Sequence, residues 1–375
     1  MRILYLSNST IPSNAANGIQ VMQMCQAFMQ IGHKVTLVCG DGGGKVDECY
    51  PYYGVESSFE VLRFSRPSIP VLKSLVYAAS SRRAIKQLGK PDLIYGRDPA
   101  LILRLSDLRC PIVYESHSAP SKLRGLIESR VFRSNRFHHL VTISNALSDW
   151  YVDSFGMPIR RDQIVVAHDA ASPPIIEDVP DLKRRPGALQ IGYFGHLYVG
   201  KGGEVLCRMA DRMPMHDFHV FGGRPQDQQR IVDQFGPQSN VFFHGFVRPS
   251  KVASYREQMD VLLAPYQESV SGGGGGDLAR WMSPLKLFEY LSSAKPMIVS
   301  RLPVLEEVLN HEENCLFVDP SDVGQWVAAV HRLEDQSLRD RLGRDGLNSF
   351  QQRYTWKHRA STVLDGLADS TGGDC

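Results

Sequence analysis

The stretch "GYFGHLYVGKGGEVL", residues 192–206, joins two patterns within one short segment. An apolar, aromatic run ends at Gly195, an irregular stretch follows, and Lys201, Gly202 and Gly203 open a segment with helical spacing. A strand that hands over to a helix in this way is the repeating unit of a doubly wound α/β sheet. Glycines and a lysine at the handover have three readings: a phosphate cradle, a dinucleotide turn, or plain punctuation. The first turn of a helix offers free N–H groups and a partial positive charge, and Lys201 adds a full charge there. The spacing fits neither standard phosphate motif. Gly192 and Gly195 are three apart, not two as in GxGxxG, and Gly202 stands where GxxxxGK[ST] needs Ser or Thr. Hydride transfer and ATP hydrolysis are both disfavoured.

Outward from this stretch the same rhythm fills the chain. The first half reads as strands at "RILYLS", "KVTLVC", "FEVLRF", "DLIYGR", "PIVYES", "HLVTIS" and "QIVVAH". Helical patterns intervene at Gly18–Ile31, Leu72–Leu88, Ser121–Arg136 and Asn145–Phe155. Residues 171–188, "ASPPIIEDVPDLKRRPGA", carry four prolines and no period, which is the composition of a linker. After it come "LQIGYFG", "FHVFGG", "VFFHGF", "VLLAPY", "PMIVS" and "CLFVD", again alternating with helices. The expected fold is α/β: two doubly wound Rossmann-like domains, 1–170 and 189–353, facing each other across a cleft. The last helical stretch, within 354–375, could belong to either domain or cross back to the first. Ligands of such sheets lie at the carboxyl ends of the strands.

A chain of 375 residues, 43% hydrophobic and 22% charged, accommodates two globular domains. No apolar run approaches the ~20 residues that span a bilayer, and "MRILYLSNST" reads as a first strand, not a signal peptide. The seven cysteines are scattered and never spaced CxxC, which suits reduced thiols in a cytoplasmic protein. The net charge of +2 hides an asymmetry: residues 1–180 hold 20 basic against 16 acidic side chains, the remainder 22 against 24. Residues 69–90 carry Lys73, Arg82, Arg83, Lys86 and Lys90 without an acid, and 121–137 carry five bases against Glu128. With Leu123, Leu126, Ile127 and Val131 at helical spacing, this is either a basic amphipathic face for an anionic membrane or a solvated helix surface. No nucleic-acid partner is expected. Residues 269–281, "SVSGGGGGDLARW", are a slack surface loop or a lid that orders on ligand.

The second constellation is "SPLKLFEYLSSAKPMIVS", residues 283–300. Ser283 and Pro284 are expected to cap and start a helix whose first turn presents N–H groups beside Lys286. Glu289, about one and a half turns further in, is placed to accept both hydroxyls of a ribose.

The order "G…KGG", "HGFV", "LLAPY", "SPLKLFEYLSSAKPMIVS" resembles the C-terminal half of the retaining nucleotide-sugar glycosyltransferases of the GT-B fold, family four. More loosely, "NGIQVMQMCQAF", "YESHS" and "TISNAL" are similar to that family's N-terminal half. The resemblance implies that Gly18 lets a loop approach the donor, and that His117 faces the transferred sugar. It implies that Lys201, with Gly195, neutralises the diphosphate and that Glu289 holds the ribose. Ser283, Pro284, Leu285 and Lys286 would then line the sugar and β-phosphate, and Phe246 and Val247 the base. Three departures stand out. His196 occupies the family's arginine position, so either it is protonated beside phosphate or Lys286 or Arg280 substitutes. Trp281 occupies the place of a glutamate that reads the sugar, for which Asp277 or backbone amides would have to serve. "VVAHDAAS" departs from an asparagine–glycine pattern at His168 and Asp169. Glu115 reads as a strand-end surface or packing residue, and His138 and His139 lack a metal-ligand partner.

These residues imply transfer of a hexose-type sugar from a nucleotide-diphospho-sugar to a saccharide or lipid-linked acceptor, with retention, no metal and no other cofactor. The setting would be surface polysaccharide or glycolipid assembly in a bacterium, at the inner membrane face. A nucleotide-sugar 2-epimerase of the same fold and a non-catalytic sugar-nucleotide-binding partner are the alternatives.

Overall fold

The structure is a computed structural model that describes residues 1–56, 58–65, 81–85, 87–154, 156–270 and 277–367. The chain divides into two units: Met1–His168 together with the chain from Trp356 onward, and Asp169–Thr355.

The first unit is built on a parallel sheet of β1 (Arg2–Ile11), β2 (Lys34–Asp41), β3 (Glu60–Phe64), β4 (Leu93–Gly96), β5 (Ile112–Ser116), β6 (Phe137–Thr142) and β7 (Ile164–Val166). Its order is β3-β2-β1-β4-β5-β6-β7. A parallel sheet is covered on both faces, so its central strands read as continuous apolar runs instead of alternating. Every residue of β4 and β5 is buried accordingly. The winding reverses between β1 and β4, the switch point where ligands of such sheets collect. Helix Ala16–Gln30 follows β1, and helix Trp356–Thr362 packs against it, which returns the end of the chain to this unit.

The second unit repeats the plan with β8 (Gln190–Phe194), β9 (Asp217–Phe221), β10 (Val241–Gly245), β11 (Val261–Ala264), β12 (Met297–Ser300) and β13 (Leu316–Val318). The order is β10-β9-β8-β11-β12-β13, again parallel, with the reversal between β8 and β11. Ile191, Tyr193, Phe218, Val220, Val261 and Leu263 pack under Leu206, Met209 and Trp326 to form its core.

The proline-rich stretch 171–188 contains no helix or regular strand, yet it does not run free. Glu177 N–H donates to Ser254 Oγ at 2.8 Å, Leu182 N–H to Gln258 Oε1 at 2.8 Å, and Arg185 Nε to Asp217 Oδ1 at 2.8 Å. It lies along the second unit. The helix expected over Ser121–Arg136 is shorter, Lys122–Phe132, because Ser134 turns back onto the Val131 carbonyl. Most of the helix expected over Leu72–Leu88, and the glycine run within 269–281, lie outside the described residues.

Candidate functional site

In the second unit the chain leaves β8 through Gly195, whose φ of 143° belongs to glycine. A Cβ there would sit 3.2 Å from Lys286 Nζ and 3.3 Å from its Cε. Lys286 fills that space with a buried amine that makes no hydrogen bond among the described residues. It lies 4.0 Å from the centroid of the Tyr193 ring and 4.9 Å from that of Tyr266. Burial, and then Lys201, push the Lys286 pKa well down, against a smaller opposing pull from Glu289. Lys201 Nζ stands over the same Tyr266 ring at 5.0 Å, and burial brings its pKa down to about 8. Two lysines therefore share one aromatic ring just beyond β11.

Gly202 has a separate explanation. It is the N-cap of helix Gly203–Arg212, in the left-handed region at φ 90°, with no side-chain cap. A Cβ there would sit 2.1 Å from the Pro265 carbonyl oxygen, so close packing alone demands glycine. The imidazole of His196 stacks flat on Tyr198, with centroids 4.8 Å apart and an interplanar angle of 6°, while its carbonyl accepts from Tyr193 OH at 2.6 Å. Lys286 is the basic side chain that stands against the Cα of Gly195. Arg280 is exposed and lies over Trp281 at 4.8 Å.

Helix Leu285–Ser292 corrects one expectation. Pro284, not Ser283, takes the N-cap position, and no side chain caps the helix. The Ser283 hydroxyl instead accepts the backbone N–H of Asp169 at 2.8 Å. Glu289, 29% exposed, receives Arg256 Nη1 on Oε2 at 2.9 Å. Arg256 comes from helix Pro249–Glu257 and is buried. Sequence reasoning missed it, because nothing in "SYRE" points to a partner 33 residues further on. Asp277 accepts from Val270 N–H and Ala279 N–H, both at 2.9 Å, and so ties a turn. Past Gly245, at φ 71°, Phe246 is exposed and Val247 half-buried.

In the first unit Gly18 lies in the first turn of Ala16–Gln30. Its missing Cβ makes room for the Tyr53 hydroxyl, which a Cβ would meet at 2.7 Å. His117 follows β5 and has 21% of its side chain exposed. Its Nε2 pairs with Glu115, and Glu115 is not the surface or packing residue expected: it is fully buried and held by charge. Gln20 Nε2 donates to it at 2.8 Å, Arg359 Nη1 at 3.2 Å, and Tyr95 OH also donates. Burial alone would raise the Glu115 pKa, but Arg359 and then His117 outweigh it and bring it to about 2. For His117, burial and then Arg97 prevail over Glu115, and its pKa falls to about 3. Arg97 follows β4 and donates to Gln20 Oε1 at 2.8 Å. His168 Nδ1 meets the Ile143 carbonyl at 3.0 Å. His138 and His139 pair with each other at 2.8 Å, and His139 Nε2 reaches the Val363 carbonyl at 3.1 Å.

Among the described residues no three His, Cys, Asp or Glu side chains gather as a metal site. Nor is any helix among them long and apolar enough to cross a membrane.

Known proteins show the same two-part plan. Residues 188–336 match the family model described as "Glycosyl transferases group 1", and residues 18–170 match "Glycosyltransferase Family 4". The chain belongs to the group 1, family 4 glycosyltransferases. It is 24% identical over 212 residues to the lipopolysaccharide core biosynthesis glycosyltransferase LpsD of Rhizobium meliloti, covering 55% of this chain and 57% of that one. The chain thus spans about half the length of the curated relatives it matches. Sucrose-phosphate synthase from Thermosynechococcus elongatus superposes with a TM-score of 0.74 at 17% identity, over 100% of both chains. Anabaena HepE in complex with UDP-glucose gives 0.72 at 14% identity, over 98% of this chain and 100% of that one. At such identities the likeness is one of fold, and it is the GT-B class.

Proposed function

We propose that this protein transfers a hexose-type sugar from a nucleotide-diphospho-sugar to a saccharide or lipid-linked acceptor, with retention of anomeric configuration and without a metal. The observation that carries the reading is Lys286, whose buried ammonium makes no hydrogen bond, and which shares the Tyr266 ring with Lys201. Burial and the neighbouring Lys201 push the unpartnered Lys286 amine away from its charged form, and an anion bound between the two lysines would restore it, so the pair suits a dianionic ligand. The diphosphate supplies that charge, and more of it as the sugar departs. Catalysis then consists chiefly of stabilising the leaving group. Glu289, steadied by Arg256, takes the ribose hydroxyls. Phe246 and Val247 flank the base, and Gly195, Ser283, Pro284 and Leu285 shape the wall around the phosphates and sugar.

In the transfer step the bond from the anomeric carbon to the diphosphate oxygen breaks. The acceptor oxygen bonds to that carbon on the same face, and its proton passes to the departing diphosphate. No protein base is required, consistent with a His117 too weakly basic to serve as one. Support for the acceptor class comes from the lipopolysaccharide relative and from helix Lys122–Phe132. Leu123 and Leu126 are 71% and 60% exposed there, beside exposed Lys122, Arg130 and Arg133, while Glu128 is buried against Arg124. That face suits an anionic lipid surface.

The test is turnover of a panel of nucleotide-diphospho-sugars by the purified chain with lipid-linked saccharide acceptors, with and without EDTA. Release of nucleoside diphosphate that depends on acceptor and persists in EDTA, with an α-linked product from an α-linked donor by NMR, is expected. Loss of activity in EDTA, an inverted product, or donor rearrangement without an acceptor would each overturn the corresponding part.

A further inference from the structure

Glu115 and Arg359 are 244 residues apart in sequence and form an ion pair that solvent does not reach. Arg359 also donates to backbone: Nε to the His168 carbonyl at 2.9 Å and Nη2 to that of Ala167 at 3.3 Å. The guanidinium is therefore fixed to the end of the β7 segment as well as to β5. Buried ion pairs are seldom net stabilisers compared with apolar packing. What this one does supply is a permanently charged carboxylate at a set place, with His117 Nε2 against it. A carboxylate and a ring nitrogen in contact need a proton between them. Arg359, Gln20 and Tyr95 all donate to Glu115, which keeps it ionised, so the proton resides on the imidazole. A second proton on the ring is opposed by burial and by the guanidinium of Arg97.

We propose that Glu115 and Arg359 are positioning residues that lock His117 in its Nε2–H tautomer, so that Nδ1 is presented as a hydrogen-bond acceptor at the carboxyl edge of the first sheet. A fixed lone pair selects ligand chemistry. It accepts a proton donor such as a sugar hydroxyl and repels a phosphate oxygen. The sugar is this ligand only if the proposed function holds; the tautomer itself does not depend on that reading. The helix at Trp356–Thr362 becomes, through Arg359, part of the apparatus that aims His117.

The experiment is a long-range ¹H–¹⁵N correlation spectrum of the ¹⁵N-histidine-labelled full chain, with His117 assigned by the signals missing from His117→Ala. The expected pattern has protonated Nε2 and unprotonated Nδ1, unchanged from pH 8 down to pH 5. Glu115→Gln, whose amide can donate as well as accept, is expected to give a mixture of tautomers. It should also lower kcat/KM about tenfold, the loss of one hydrogen bond, with no further loss in His117→Ala. Arg359→Lys should retain the wild-type pattern. An Nδ1–H tautomer or an imidazolium at neutral pH in the wild-type protein overturns the proposal, as does a Glu115→Gln spectrum identical to wild type. Should Glu115→Gln fail to fold, the wild-type spectrum alone decides. A wild-type protein with the expected tautomer but no sugar transfer would sink the proposed function and leave this inference standing.

Discussion

Lys286 in the second unit keeps an ammonium with no hydrogen bond, whereas Glu115 in the first unit is met by Gln20, Tyr95, His117 and Arg359. Both groups lie at or just beyond the carboxyl end of a parallel strand, and both are out of water. The open charge makes the second edge receptive to an anion and strained without one. The closed network makes the first edge rigid and electrically settled, so its contribution is orientation. On the proposed reading, two sheets of one plan divide the work between binding by charge and aiming by tautomer.

The contrast can be broken most forcefully at the closed network. Arg359→Met leaves the Glu115 carboxylate buried and unpaired, which is expected to cost about 3–5 kcal/mol of stability by denaturant melts. A change below about 1 kcal/mol would mean that the network is not closed. At the open edge the sign should reverse. Lys286→Met removes an unpartnered buried charge, so the melting temperature of the ligand-free protein should rise by a few degrees. The same variant should lose about 10²–10³ in kcat/KM, the size of one donor lost from a charge-stabilising site. Destabilisation with full turnover would mean that Lys286 serves packing and meets no anion.

Lys201 sharpens the comparison through pH. Its folded pKa of about 8 lies below the ordinary 10.5, so between those values the unfolded chain binds more protons. Ligand-free stability contributed by Lys201 should therefore rise from pH 8 to pH 10.5, while donor affinity falls over the same range. Lys201→Arg should flatten both limbs, and parallel limbs in that variant would assign them to another group. A smaller effect is expected from Arg256→Lys, which loosens Glu289: about tenfold in donor KM with kcat nearly unchanged. The smallest concerns the surface. Leu126→Ser should halve or better the fraction floating with anionic liposomes at low salt and leave turnover of a soluble acceptor unaltered.

Much of this was legible in the order of residues. The centres of runs such as "DLIYGR" and "PIVYES" are continuously apolar because strands of a parallel sheet are covered on both sides, and each strand expected from such a run is present. Lys201 and Glu289 stood out by their setting beside glycines and a helix start. What escaped notice were groups whose meaning lies in a partner far along the chain. Nothing local marks Arg256 or Arg359, because the carboxylates they meet lie 33 and 244 residues away. Ser283 was mistaken for a cap since nothing local foretells the Asp169 backbone that claims its hydroxyl. The linker reading of 171–188 rested on proline content, which describes chain stiffness but not the Ser254, Gln258 and Asp217 side chains that hold it.

The amino-acid order by itself determined two wound sheets, their strands, and a glycine-rich strand-to-helix handover from Gly195 to Gly203, because these depend on local periodicity and on backbone freedom at single residues. Only tertiary structure decided that Lys286 stands against Gly195, and that Glu115 is a charged anchor for His117. Burial and electrostatic pairing across tens to hundreds of residues set the charge state of a side chain, and no local pattern records them.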